Sequence, residues 1–234
     1  MPAPGRTRGF TLVELMVALA VLALVAILGW RGLDGMVRTQ STTQARADEV
    51  LALQVGLAQW NADLDGMLQM PQVASLDWDG RLLRLTRRSG IDPADGVVVA
   101  AWTRREQEGR GTWLRWQSPP LRTRDEVEEA WRRAEAWSTS PSDAERAREV
   151  AVMALDAWQI YYHRGGAWTS PLSSDATLAA APQGEAPQPD GNRMLTTGLL
   201  PDGVRLELSL PAGGPINGTL SVDWVSPRIG GSRP

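Results

Sequence analysis

The chain of 234 residues carries 27 acidic and 24 basic side chains, a formal net charge of −3, and no lysine at all. That balance excludes a strongly basic nucleic-acid surface, and the absence of cysteine excludes both a disulfide framework and a thiol nucleophile. With one histidine in the whole chain a zinc site lacks ligands, and no cofactor is expected.

The chain opens with a short polar stretch ending Arg8-Gly9-Phe10-Thr11-Leu12-Val13-Glu14, and after Glu14 no charge recurs until Arg31. From Phe10 to Trp30 the run is 21 residues long, and about 20 suffice to cross a bilayer. One carboxylate inside such a run is unusual, because an acid at membrane depth costs roughly 2.5 to 3.5 kcal/mol and normally faces a partner. A secretory signal peptide would also start with basic residues such as Arg6 and Arg8. Its small-residue cleavage triplet, however, would here be Ala18-Leu19-Ala20, inside the apolar run rather than at its exit. A plain single-span anchor is compatible with the pattern, with Arg6 and Arg8 kept inside and Trp30 marking the interface.

These residues resemble the type IV prepilin leader. The resemblance implies that a dedicated peptidase cuts after Gly9, that Phe10 becomes the N-methylated first residue, and that Glu14 meets the N-terminal amine of a neighbouring subunit during filament assembly. Loss of residues 1–9 removes Arg6 and Arg8, so the side-chain charge moves from −3 to −5.

Beyond the apolar run, Leu33, Met36, Val37, Ala47, Val50, Leu51, Leu57, Leu64 and Leu68 recur close to helical spacing, with no proline before Pro71. One helix from Phe10 to about Met70 would be roughly 90 Å long. Gly29, Gly32 and Gly35 mark either a bend or melting point just outside the bilayer or a site of close helix packing.

The rest reads as strands with one helical insertion. Arg81–Thr86, Val97–Trp102 and Thr112–Gln117 are β-rich runs bounded by Gly, Pro and Asp, an antiparallel meander. Asp125–Trp137 has helical period, with Val127, Trp131 and Ala134 on one face and Glu128/Arg132 and Glu129/Arg133 as i,i+4 pairs on the other. Its Trp face docks on its own sheet or on a partner. Strand period returns at Glu149–Tyr162 and at Val204–Leu210, and Thr219–Val225 pairs with the latter across Ala212-Gly213-Gly214-Pro215. Residues 170–192, rich in Pro, Ala and Gly, read as a mobile loop. The organisation expected is a leader at 1–9, a transmembrane segment at 10–30, continuation of the long helix at 31–70 and a β-rich periplasmic head at 71–234.

The stretches Ala52–Leu64, Leu83-Arg84-Leu85-Thr86-Arg87, Trp113-Leu114-Arg115-Trp116, Tyr161–Trp168 and Leu200–Leu208 are similar in type and order to the minor pseudopilins of the J type in type II secretion systems. The resemblance implies an α+β, pilin-like fold, in which a long N-terminal helix, membrane-spanning in its first half, packs on an antiparallel β-sheet head with a helical insertion. It also implies a place at the pseudopilus tip beside I- and K-type minor pseudopilins and the major pseudopilin. Processing would be by prepilin peptidase, the anchor in the inner membrane and the head in the periplasm, where secreted substrates are possible partners. A minor pilin of a type IV pilus or DNA-uptake machine, and a membrane-anchored periplasmic binding protein or enzyme, are the alternatives.

Chemistry in the head is sparse. Tyr162-His163-Arg164-Gly165 reads as a strand entering a turn rather than a catalytic centre, and the chain is expected not to be an enzyme. Asn61-Ala62-Asp63-Leu64-Asp65-Gly66 resembles the start of an EF-hand loop, but position twelve is Gln72 where a bidentate Glu belongs. These are expected to be capping and solvated residues. Asp92–Gly96 reads as a turn, although it could hold calcium. Of the 11 Trp, some in the head are expected to be exposed and one or two to form a subunit contact.

Overall fold

A computed structural model describes residues 9–70, 73–90, 92–173, 200–214 and 216–227. The chain divides into two compact units, Met1–Asp48 and Glu49–Pro234. Helix α1, Leu12–Asp65, begins in the first and ends in the second.

In the second unit a five-stranded antiparallel sheet has the order β1-β2-β3-β4-β5, formed by Leu76–Trp78, Leu82–Arg88, Val97–Gln107, Arg110–Gln117 and Glu149–Ala154. A four-stranded sheet has the order β7-β6-β8-β9, from Ala167–Thr169, Ala157–Arg164, Gly203–Leu210 and Gly218–Val225. Helix α2, Arg124–Thr139, and the one-turn α3, Asp143–Arg146, lie between β4 and β5 in sequence. This is an α+β, pilin-like arrangement.

The first sheet is covered on both faces. One face joins the end of α1 and the second sheet in a core of Trp60, Leu64, Leu83, Leu85, Trp102, Trp113, Trp158, Ile160, Leu206 and Leu208, among others. The other face packs on α2 through Leu82, Val99, Leu114, Trp116, Val127, Trp131, Ala134 and Trp137. The Trp face of α2 therefore docks on its own sheet. Full burial of one large apolar side chain is worth about 1.5 to 3 kcal/mol, which makes the two layers the main source of stability. Two arginines clasp α2 to the sheet: Arg84 bonds Asp77 at 2.6 Å and Glu135 at 3.2 Å, and Arg105 bonds Glu149 at 2.6 Å and the Trp137 carbonyl at 3.0 Å. Thr123 and Glu126 close the N-terminus of α2 with a capping box. On its outer face Glu128 pairs with Arg124 and Glu129 with Arg132, in place of the Arg132 and Arg133 expected from sequence.

Four expectations are corrected. The long helix stops at Asp65 rather than near Met70: Gly66 is a poor helix residue, and the next backbone groups pair with β2, Leu68 N–H donating to the Thr86 carbonyl at 3.0 Å. The single run Glu149–Tyr162 is two strands in two sheets. Leu155 N–H donates to Gly111 of the first sheet at 2.8 Å, and the neighbouring Asp156 N–H to Ser209 of the second at 2.9 Å. The head Trp residues are not exposed: Trp78, Trp102, Trp113, Trp116, Trp131, Trp137, Trp158 and Trp224 are buried, and Trp168 is half-buried. Two sheets and α2, with two apolar layers between them, supply more interior than one sheet and one helix would. Finally, α1 runs unbroken through Gly29, Gly32 and Gly35, and a Cβ at any of them would meet nothing within 4 Å in this chain.

The run Thr219–Val225 pairs with β8 as expected, with Val204 opposite Trp224 and Leu208 opposite Leu220. Of the expected mobile loop at 170–192, residues 174–192 lie outside the described residues. The short strands β1 and β7 and the helix α3 were not foreseen, being too short to show a period.

Candidate processing and membrane-insertion site

Gly9 and Phe10 precede α1 in non-helical backbone, and both are exposed, Phe10 at 87%. Thr11 stands at the helix boundary and Glu14 is the third helical residue. Thr11 N–H and Thr11 Oγ1–H each donate to Glu14 Oε2 at 3.1 Å, and Glu14 N–H donates back to Thr11 Oγ1 at 3.3 Å. This reciprocal set is a capping box: two N-terminal helix donors that have no partner within the helix find one in side chains. The acid also lies at the positive end of the helix dipole. The sequence signal for this cap is Thr11-x-x-Glu14, the capping-box pattern ahead of an apolar run.

Every apolar side chain of α1 from Leu12 to Trp30 is exposed. The helix contains an 18-residue window with mean hydropathy 2.7 and none of it buried in the protein. In water such a surface would drive aggregation, whereas in hydrocarbon it is matched, with all backbone groups satisfied inside the helix. Past Arg31 the surface turns polar. Arg38 and Asp34 pair at 3.1 Å, and Thr39 and Thr43 return their hydroxyls to the carbonyls of Gly35 and Thr39 at 2.9 Å.

The other candidate residues have structural work. Asp63 is fully buried, not solvated as the sequence implied. Its two oxygens accept from Arg115 Nε and Nη2 at 2.8 Å each, from Trp102 Nε1 at 2.9 Å and from Gln59 at 2.9 Å, and Arg87 Nε lies 2.9 Å away. Gln117 Oε1 accepts from both Arg87 and Arg115 at 2.7 Å. Burial pulls the Arg87 guanidinium below its ordinary value, opposed by the attraction of Asp63. A carboxylate spent on two guanidinia is not available to calcium. Asp65 accepts from Trp224 Nε1 at 2.8 Å. Asp92–Gly96 is a turn: Asp92 Oδ1 accepts from Ala94 N–H at 2.8 Å around the 3-10 turn Pro93–Asp95. His163 closes β6 with its ring 5.1 Å from Trp168 and Nδ1 3.9 Å from Asp202. Among the described residues no group of three or more His, Asp or Glu gathers as a metal site.

Residues 5–30 match the prokaryotic N-terminal methylation motif. No curated protein matches the chain. The motif, of the prepilin type, together with the long helix and the two-sheet head, supports a type IV pilin-like protein. It implies processing by a prepilin peptidase and assembly with other pilins, and it suggests a structural rather than an enzymatic role. One long apolar helix with this motif suits a single-pass membrane anchor.

Proposed function

We propose that the protein is a minor pseudopilin of the J type, a structural subunit at the tip of the type II secretion pseudopilus that helps to start assembly and protein export. The observation that carries the pilin-like part is the methylation motif at 5–30, with Glu14 five residues past Gly9 in a run otherwise uncharged up to Arg31. The narrower part is supported by the order of the similar stretches, which fall on the end of α1, on β2, on β4, on β6 with β7, and on β8.

In this reading residues 1–9 are a leader, 10–30 the inner-membrane span, 31–65 the continuation of the helix and the remainder a periplasmic head. The peptidase cuts between Gly9 and Phe10, and Phe10 is methylated. Glu14 in a waiting subunit is attracted to the N-terminal amine of a subunit already in the filament. Pairing the two in a low-dielectric bilayer relieves two desolvated charges together. The partners are I- and K-type minor pseudopilins and the major pseudopilin, and nothing in the charge pattern calls for nucleic acid.

Cross-linking in native membranes, followed by mass spectrometry of the partners and of the chain's own N-terminus, tests this. Partners of the I and K types, with a chain beginning at methylated Phe10, are the expected result. The methylation motif and the fold suit a pilus subunit equally well, and pilus partners with the same N-terminus would move the protein to that class. An intact residue 1 with no pilin partner would overturn the reading.

A further inference from the structure

We propose that β9 is an open docking edge, and that an extended segment of a different pilin-like subunit, anchored in the same membrane, adds to it as an antiparallel strand. This contact rests on the reading of the chain as a filament subunit and adds to it the part of the head that meets a neighbour.

Among the described residues the two sheets end on β1, β5, β7 and β9. Edge strands are ordinarily protected by shortness, bulges, proline or charge. β1 and β7 are three residues each, and β5 pairs with β4 through a register shift at Trp113/Leu114. β9 has no such guard. It is eight residues long, contains no proline and keeps an unbroken register with β8, and its one charged residue, Asp223, is bonded back to Arg205 of its own sheet. Thr219, Ser221, Asp223 and Val225 are exposed, Val225 at 65%.

The free backbone groups follow from the ladder. Ser226 N–H donates to the Asp202 carbonyl at 2.8 Å, and positions bonded to one neighbour recur at every second residue. Leu220, Val222 and Trp224 therefore bond β8, and the N–H and C=O groups of the exposed residues between them point to the open side. Leu220 and Val222 face the core but are only half-buried, so apolar side chains at alternate positions of an added strand would complete their cover. On the outer face Glu207 and Asp223 outnumber Arg205, a charge balance that favours a basic residue in the incoming segment.

A second copy of this chain does not fit. β9 follows the direction of the last turns of α1: a Cβ on Gly214, in the turn before it, would stand 3.5 Å from Glu49 Oε2, and Trp224 Nε1 donates to Asp65 at 2.8 Å. Antiparallel pairing of two β9 strands would set the two helix ends head to tail, whereas subunits anchored in one membrane present theirs the same way. Parallel pairing about an axis along the strands would put the apolar face of one beside the polar face of the other. A strand running back towards the membrane in a different head meets neither obstacle. One added strand is a small interface for free proteins, and confinement in one membrane supplies the effective concentration that a soluble partner lacks.

The test places a photo-reactive residue at Ser221, or at Gln159 on the outer face of the interior strand β6, in the full-length chain in native membranes. Cross-linking at 221 should exceed that at 159 several-fold and join an extended segment of a different membrane-anchored pilin-like chain. Equal yields, a second copy as the product, or a soluble exported protein as the product would each overturn the proposal. Ser221→Pro removes an N–H that β8 does not use, a change tolerated on an edge strand, and should lower incorporation into the filament about ten-fold, whereas Ser221→Ala should not. Full incorporation of Ser221→Pro would overturn the strand addition; if that variant fails to fold, the cross-link at 221 decides. N-terminal mass spectrometry of the same samples separates the two readings. A chain still carrying residue 1 would overturn the filament reading itself, and a processed chain that enters the filament without the 221 cross-link would overturn the edge contact alone.

Discussion

Arg115 of β4 grips Asp63 of the last turn of α1 with two parallel hydrogen bonds, Nε to Oδ2 and Nη2 to Oδ1, each 2.8 Å long, at a carboxylate with no exposed surface. Arg87 of β2 stands on the same acid at 2.9 Å. The helix end is thus tied by one side chain to two strands of the first sheet, β2 and β4, that flank β3. Bidentate geometry makes this the strong kind of ion pair.

Removing the shared acid leaves two guanidinia in a site built for their neutralisation. Asp63→Ala is expected to cost about 3 to 5 kcal/mol, the range for breaking a buried pair, whereas removal of the exposed Asp34, paired with Arg38, should cost under about 1 kcal/mol. Denaturant unfolding of the detergent-solubilised protein compares them. Equal midpoints for the two variants would contradict the assignment.

Gly56 faces Val152 of β5 and the ring of Trp113, closer than a Cβ tolerates. Alanine would gain about 1 kcal/mol of helix propensity, but Val152 is β-branched and stiff, and overpacking costs typically 1 to 3 kcal/mol. Gly56→Ala is therefore expected to lower stability by about 1 kcal/mol. A thermal midpoint at or above that of wild type would show that β5 yields.

The β3–β4 hairpin turns on Glu108 and Gly109 with φ of 51° and 75°, a two-residue loop of the kind that favours Asn-Gly. Glu108 is the non-glycine residue held in left-handed backbone among the described residues. Glu108→Asn should raise stability by roughly 0.5 to 1 kcal/mol, because asparagine tolerates that region. Thermal unfolding reads the gain directly.

Arg205 and Asp223 pair across β8 and β9 at 2.7 and 2.8 Å. The hydrogen bond from Arg205 is the main cause holding the Asp223 carboxyl below its ordinary value. A depressed folded-state value stabilises the fold above the unfolded value, about pH 3.9, and that contribution is lost as pH falls through the lower folded value. Asp223→Asn should therefore flatten the acid limb of the midpoint-against-pH curve below about pH 4 and leave its slope at neutral pH unchanged. An unaltered acid limb would show the pair to be idle in solution.

Much of this molecule could be read before the structure. Apolar period alone gave the long helix, and strict alternation at Val204–Leu210 gave β8 and its partner β9, because each element is long enough to repeat its period. The i,i+4 face of Val127, Trp131 and Ala134 likewise marked the buried side of α2. What failed was whatever depends on distant chain. Glu149–Tyr162 has one continuous strand-like pattern, and only tertiary hydrogen bonds to Gly111 and Ser209 divide it at Leu155. Asp63 looked solvated because its partners Arg87 and Arg115 lie 24 and 52 positions away in sequence. The Trp residues looked too many to bury because the sequence does not show that one sheet will be covered on both sides. At the proposed processing site Gly9, Phe10 and Glu14 stood out by composition, whereas Thr11 acts through geometry and passed unnoticed.

The burial of Trp60, Asp63 and Leu64 has a consequence for where the folded head begins. Its N-terminal boundary lies inside a helix and not in a linker, since the final turns of α1 line the interior while residues up to Leu51 remain uncovered. A protease cutting before residue 48 would release a stable fragment; one cutting after Gly56 would take out a wall shared by both sheets. Limited digestion should accordingly trim the chain to a plateau that keeps Gly56, and fragments starting later should not persist.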